Sequence, residues 1–215
     1  MIRVYGYPQS RSGRVVWALE EANAEYEYEP VDLMAGEGRS RQYLGVNPGG
    51  KVPAVVADGQ LITESGALVL WVADRFPEAG LAPEPRTAAR TQLHRWLFFL
   101  ITELEQPLWT MAKHRFILPE RYRVRDVLDA ARYEFAIAAD VLAAALGDRQ
   151  YLVEDRFSVA DIVAAHTLAW ARAAKAPMDR DELSAYADRL LERPARARAH
   201  EREESELEAR RRDEQ

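Results

Sequence analysis

Up to Phe76 the apolar residues of this sequence switch repeatedly between strand and helix periods; after Pro77 only the helix period remains. The first stretch needs a sheet and the second cannot build one, so the chain divides there. Ile2 to Tyr5 is a short strand candidate, closed by Gly6 and Pro8. Val15, Ala18, Leu19 and Ala22 follow at i, i+3, i+4 and i+7 and give a helix one apolar face. Tyr26 to Val31 reads as a second strand, and a β-α-β opening favours a parallel pair with a right-handed crossover. Gly36 and Gly38 mark a loop, and Ser40 to Val46 is a short helix that ends near Asn47-Pro48-Gly49-Gly50. Val52 to Ala57 and Gln60 to Thr63 form a hairpin, because Asp58-Gly59 is a strong two-residue turn signal. Glu64-Ser65-Gly66 opens another helix that Pro77 stops.

The resulting order, β-α-β-α-β-β-α, is that of a thioredoxin-like α/β domain over residues 1–77. Pro77, Gly80, Pro83 and Pro85 make a linker. Residues 86–200 read as an all-α domain. One helix runs from Leu93 to Met111, bent by Pro107. A second carries Val124 to Leu142 and ends at Gly147; a third runs from Ser158 to about Ala174, and a fourth from Arg180 to Glu192. Residues 201–215 form a charged tail, either an exposed helix with pairs such as Glu206–Arg210 and Glu208–Arg212 or a frayed end.

Composition removes several function classes. The 215 residues contain no cysteine, which excludes disulfides, thiolate-ligated zinc and a cysteine nucleophile, and fits a reducing, cytoplasmic setting. The net charge is −6 and no basic stripe stands apart from acids, which disfavours nucleic acid. No stretch has the apolar length of a membrane span. The four histidines show no metal-ligand spacing, so no metal is expected.

Four local signals carry chemistry. Pro53, after a polar turn, is either a cis-proline or the first residue of a strand. If Val52 is extended, a peptide can pair with its backbone as an added strand. Glu64-Ser65 sits at a helix start, where unpaired N–H groups attract a carboxylate while the Glu64 carboxylate can hold an ammonium group; a simple helix cap is the alternative. Ser10 or Ser12, in the turn after the first strand, can cap the first helix or donate to a bound thiolate and so lower a thiol pKa. Ser158 and Asp161 make a capping box, flanked by a Phe157–Ile162 hydrophobic staple; that motif is structural.

The segments YGYPQSRSGRVVWALEEANAEYE, NPGGKVPAVVADGQLITESGALVLWVADRFP, FSVADIVAAHTLAWA and LLERPARARA, in that order, resemble the glutathione transferase superfamily, its serine-type bacterial-like members above all. The resemblance spans Ile2 to His200. It implies a glutathione transferase, a detoxification enzyme that ionises bound glutathione for attack on a small apolar electrophile. Val52 and Pro53 would then hold the cysteinyl backbone, Glu64 and Ser65 the γ-glutamyl end, and Lys51 the glycyl carboxylate. The activating hydroxyl lies four residues before the helix arginine in similar serine-type proteins. Counting from Arg14 gives Ser10, with Ser12 next and Tyr5 or Tyr7 after it. Trp109, Met111 and Phe116 would wall the second substrate, expected between the domains, and a homodimer is implied. Relatives with other chemistry keep glutathione-dependent disulfide reduction, peroxidase activity and a non-catalytic interaction role as alternatives. The loop Gln9-Ser10-Arg11 departs from that of the isomerase branch.

Overall fold

A computed structural model describes residues 1–213. The chain divides into two compact units: Met1–Ala82 together with the segment from Glu192 onward, and Pro83–Leu191.

The first unit is built on four strands, β1 (Ile2–Gly6), β2 (Glu27–Pro30), β3 (Ala54–Ala57) and β4 (Gln60–Thr63), in the order β2-β1-β3-β4. β1 and β2 are parallel, whereas β3 runs antiparallel to both β1 and β4. Helices α1 (Ser12–Glu21), α2 (Arg41–Val46) and α3 (Ser65–Arg75) complete the expected order. The hairpin turn has positive φ at both Asp58 and Gly59, the backbone that a tight two-residue β-turn needs. β3 starts at Ala54 rather than Val52, where the β1–β3 register ends with Tyr5 opposite Ala54; the Val52–Pro53 bond just before it is cis. Val4, Val15, Trp17, Leu19, Val55 and Leu68 are fully buried and form the core between sheet and helices.

The second unit is helical: α4 (Ala88–Phe99), α5 (Glu105–Ala112), α6 (Val127–Leu146), α7 (Val159–Ala173) and α8 (Asp181–Leu191). α4 and α5 are joined by a wider π turn at Leu100–Leu104. Pro107 lacks an N–H, and its ring crowds the carbonyl of Glu103, so the distortion falls one turn before the proline. α7 is apolar on nearly every side and runs through the middle of the unit. Its capping box joins Ser158 to Asp161, which also accepts hydrogen bonds from the Leu152 amide and the Tyr186 hydroxyl.

The last helix, α9 (Pro194–Asp213), is where the structure departs from sequence expectation. Residues 192–200 do not close the helical domain, and the charged stretch from Glu201 is neither frayed nor a bare exposed helix. α9 returns to the first unit. Ala195, Ala199, Glu203 and Leu207, four apart, are all buried. Arg193, just before the helix, meets Glu21, and the helix's own arginines reach further acids of the first unit: Arg198 meets Glu20, Arg210 meets Glu29 and Glu37, and Arg211 meets Asp32. Within the helix, Arg202 pairs with Glu206, and Arg210 reaches the Pro30 carbonyl as well as its two acids. Residues 214 and 215 of the expected tail lie outside the described residues.

Candidate functional site

The turn between β1 and α1 carries the serines. Gln9 has a left-handed φ of 60° and turns the chain so that Ser10 faces the start of α1. Ser10 Oγ accepts from the Ser12 amide at 3.1 Å and lies 2.9 Å from Ser12 Oγ. Ser10 is part-exposed; Ser12 is fully buried. The Ser12 hydroxyl accepts from the Tyr7 amide at 3.0 Å, lies 2.9 Å from the Tyr7 carbonyl, and approaches Glu203 Oε1 at 2.5 Å. The Tyr28 hydroxyl donates to the same Glu203 oxygen at 3.2 Å. The cluster closes over Gly6: a Cβ there would lie 2.6 Å from the Tyr28 hydroxyl and 2.8 Å from Ser12 Cβ, so only glycine fits. Burial pushes the Glu203 carboxyl up to about 7, against the pull of Ser12, Tyr28 and Arg196. It also raises the Tyr28 phenol, with Glu203 adding to the effect.

Helix propensity could not have found Glu203, since α9 reads as a surface helix. The usable signal was the four-residue spacing of Ala195, Ala199 and Leu207, with Glu203 in the one gap.

The second cluster lies at the same end of the sheet, because the registers pair Tyr5 with Ala54 and Ala54 with Thr63. The Lys51 carbonyl accepts from Tyr43 Oη and Asn47 Nδ2, both at 2.7 Å, which fixes the chain as it enters Val52. Lys51 is exposed, Val52 part-exposed and Pro53 buried. Glu64 has φ 67° and ψ 115°, a conformation that costs an ordinary residue about 1–3 kcal/mol. That turn sets Ser65 at the first position of α3 and leaves the Glu64 carboxylate exposed. Ser65 Oγ accepts from Arg14 Nη1 at 3.3 Å. Arg14 is fully buried, and burial, reinforced by the charge of Arg11, holds its guanidinium well below its ordinary value. Arg11 is lowered by burial too, with the Glu64 charge opposing the shift. Two cations and a carboxylate therefore surround the start of α3, suited to a group bearing both charges.

The other expected residues fall apart from these. Tyr5 is part-buried on β1, its ring 5.9 Å from that of Tyr43. In the second unit Met111 is core, 1% exposed, while Phe116 is 65% exposed in the π turn Lys113–Ile117 and Trp109 is intermediate. Among the described residues no cluster of His, Cys, Asp or Glu could hold a metal ion, and no helix is long and apolar enough to cross a membrane.

A thioredoxin-like unit with hydroxyls at its first helix, a cis-proline before β3 and an acid–serine pair opening α3, followed by an all-helical unit, defines a class of two-part proteins, α/β first and all-α second. The family model for the glutathione S-transferase N-terminal domain matches residues 1–74, and that for the glutathione S-transferase C-terminal domain matches residues 106–194. Glutathione S-transferase F9 of Arabidopsis thaliana is 31% identical over 205 residues, covering 91% of this chain and 94% of that protein. The crystal structure of a glutathione transferase from Methylococcus capsulatus superposes with a TM-score of 0.85 at 30% identity, over 94% of this chain and 98% of the other. A sphingomonad glutathione S-transferase solved with glutathione gives 0.82 at 30% identity, with the same coverages. The chain belongs to the glutathione S-transferase superfamily and is a glutathione transferase enzyme.

Proposed function

We propose that the first unit binds glutathione along its main chain and that Ser10 keeps the bound thiol ionised. The observation that carries this reading is the contrast between the two serines. Ser12 is sealed inside the unit, whereas Ser10 is part-exposed at the start of α1, where a hydroxyl and a helix N-terminus both favour a thiolate. Val52 lies beyond the β1–β3 ladder, which therefore does not use its amide and carbonyl, and a cysteinyl backbone can pair there. Pro53 sets that geometry. Glu64 takes the ammonium and Ser65 the carboxylate of the γ-glutamyl group, and Lys51 takes the glycyl carboxylate.

The chemistry is short. The thiol proton leaves to solvent, and the thiolate pair forms a C–S bond to a small apolar electrophile. The displaced group departs with its bonding electrons. A free thiol ionises near ~8.5, so each unit of lowering makes about ten times more nucleophile near neutral pH. We assign Trp109 and Phe116 to the apolar wall for the electrophile, backed by Met111. We also assign the chain to a homodimer formed through α3 and α4; Phe98 on α4, 70% exposed, supports this, and sedimentation velocity tests it.

The reading is tested with Ser10→Ala. The pH titration of the thiolate's ultraviolet absorbance in the glutathione complex should move upward, with glutathione affinity nearly kept. Identical titrations of variant and parent would remove Ser10 from the mechanism.

A further inference from the structure

The buried link from α9 to Ser10 has no part in the reading above, although it ends on the hydroxyl that reading depends on. Ser12 Oγ has one proton and two lone pairs. One lone pair is always taken by the Tyr7 amide. The remaining lone pair and the proton are shared among Glu203, Ser10, the Tyr7 carbonyl and the neighbouring Tyr28 hydroxyl.

The two states of Glu203 divide them differently. An ionised carboxylate accepts only. It takes the Ser12 proton, and the 2.5 Å separation is that of a charge-assisted O–H···O⁻ bond. The open lone pair of Ser12 then faces Ser10 and accepts its proton. A neutral carboxyl instead donates to Ser12 and fills that lone pair. Ser12 turns its own proton to the Tyr7 carbonyl, and Ser10 must send its proton to an acceptor other than Ser12. The Ser12 amide holds Ser10 Oγ in place in both states, so only the proton changes direction.

We propose that Glu203 is a positioning residue whose carboxyl group, acting through the Ser12 hydroxyl, decides whether the Ser10 proton points at Ser12 or away from it. This rests on the reading that Ser10 donates to the thiolate of bound glutathione. Neutral Glu203 is the donating state, and ionised Glu203 withdraws the donor. The groups facing Glu203 are Ser12 from α1, Tyr28 from β2, and Arg196 and Glu204 from α9 itself. Arg196 favours the ionised form; burial and Glu204 favour the neutral one. The balance places the switch near neutral pH, the range in which the Ser10 reading requires a bound thiol to ionise.

Two ionisations that oppose each other spread the titration of each. The test is a pH titration of thiolate absorbance in the glutathione complex of the parent, Glu203→Gln, Ser12→Ala, Ser10→Ala and the Ser10→Ala/Glu203→Gln double variant, each checked for folding by circular dichroism. The parent thiol should titrate over a wider span than a single group. Glu203→Gln removes the titrating carboxyl, and Ser12→Ala removes the relay but keeps the carboxyl; both should lose the broadening. In the Ser10→Ala background, Glu203→Gln should change nothing. Ser12→Ala carries the test if Glu203→Gln does not fold. A parent that titrates as one group, or a Glu203→Gln effect that persists without Ser10, overturns the inference while leaving the Ser10 reading intact. A Ser10→Ala thiol that titrates like the parent removes both.

Discussion

Ser10 and Ser12 differ by two positions and by everything that surrounds them. One meets solvent; the other is spent on a buried carboxyl. Loss of a single preorganised donor to a developing or held charge costs about 10²–10³ in rate. Ser10→Ala is therefore expected to lower kcat/KM for a model electrophile about a hundredfold at neutral pH, with recovery as pH rises; steady-state kinetics across pH checks it. Glu203 makes a separate prediction about stability. Its carboxyl is raised to about 7 in the fold against 4.5 outside it. The folded state thus holds this proton more tightly than the unfolded chain. The benefit is complete below pH 4.5 and disappears as pH climbs through 7, a loss on the order of 3 kcal/mol from this one group. Urea unfolding at stepped pH should show that decline in the parent and a flatter curve in Glu203→Gln. At Glu64 the left-handed backbone and the chemistry oppose each other. Glu64→Gly should gain about 1 kcal/mol of stability and lose glutathione affinity, measured by denaturation and calorimetry on the same preparation.

Among the elements, α9 shows what local pattern hides. Strands and helices of the first unit were legible because each has its own period or turn signal, from Val15–Ala22 to Asp58-Gly59. Ser10, Val52-Pro53 and Glu64-Ser65 stand out as candidates because they share short motifs with a family. α9 offers neither: its buried side is two alanines, a glutamate and a leucine, and its other positions are mostly arginine and glutamate. What its arginines meet is complementary charge on α1, β2 and the loop after it, which no one-dimensional pattern displays. Leu207 is its largest buried apolar side chain, 4% exposed. Leu207→Ala should cost about 2–3 kcal/mol in denaturant unfolding. The ion pairs are partly exposed, so each adds about 0–1 kcal/mol, and raising salt should weaken the helix only slightly.

At the scale of the whole chain, a ligand that binds only the folded form stabilises it by mass action. Glutathione at a hundred times its Kd should add about 2.7 kcal/mol to unfolding stability, and the same concentration should do much less for Glu64→Gly. A calorimetric scan with and without the tripeptide measures both. The homologous halves of the family were evident from sequence, but the route of the chain through them was not. The helical unit is an insertion: Pro83–Leu191 interrupts a unit begun at Met1 and resumed at Glu192. Synthesis runs from the N-terminus, so the sheet leaves the ribosome long before the helix that covers Ser12 and Tyr28. Until residues near Glu203 emerge, the Ser12 and Tyr28 hydroxyls stay wet, and the buried cluster they form is the last part of the first unit to be finished although its strands are the first to be made.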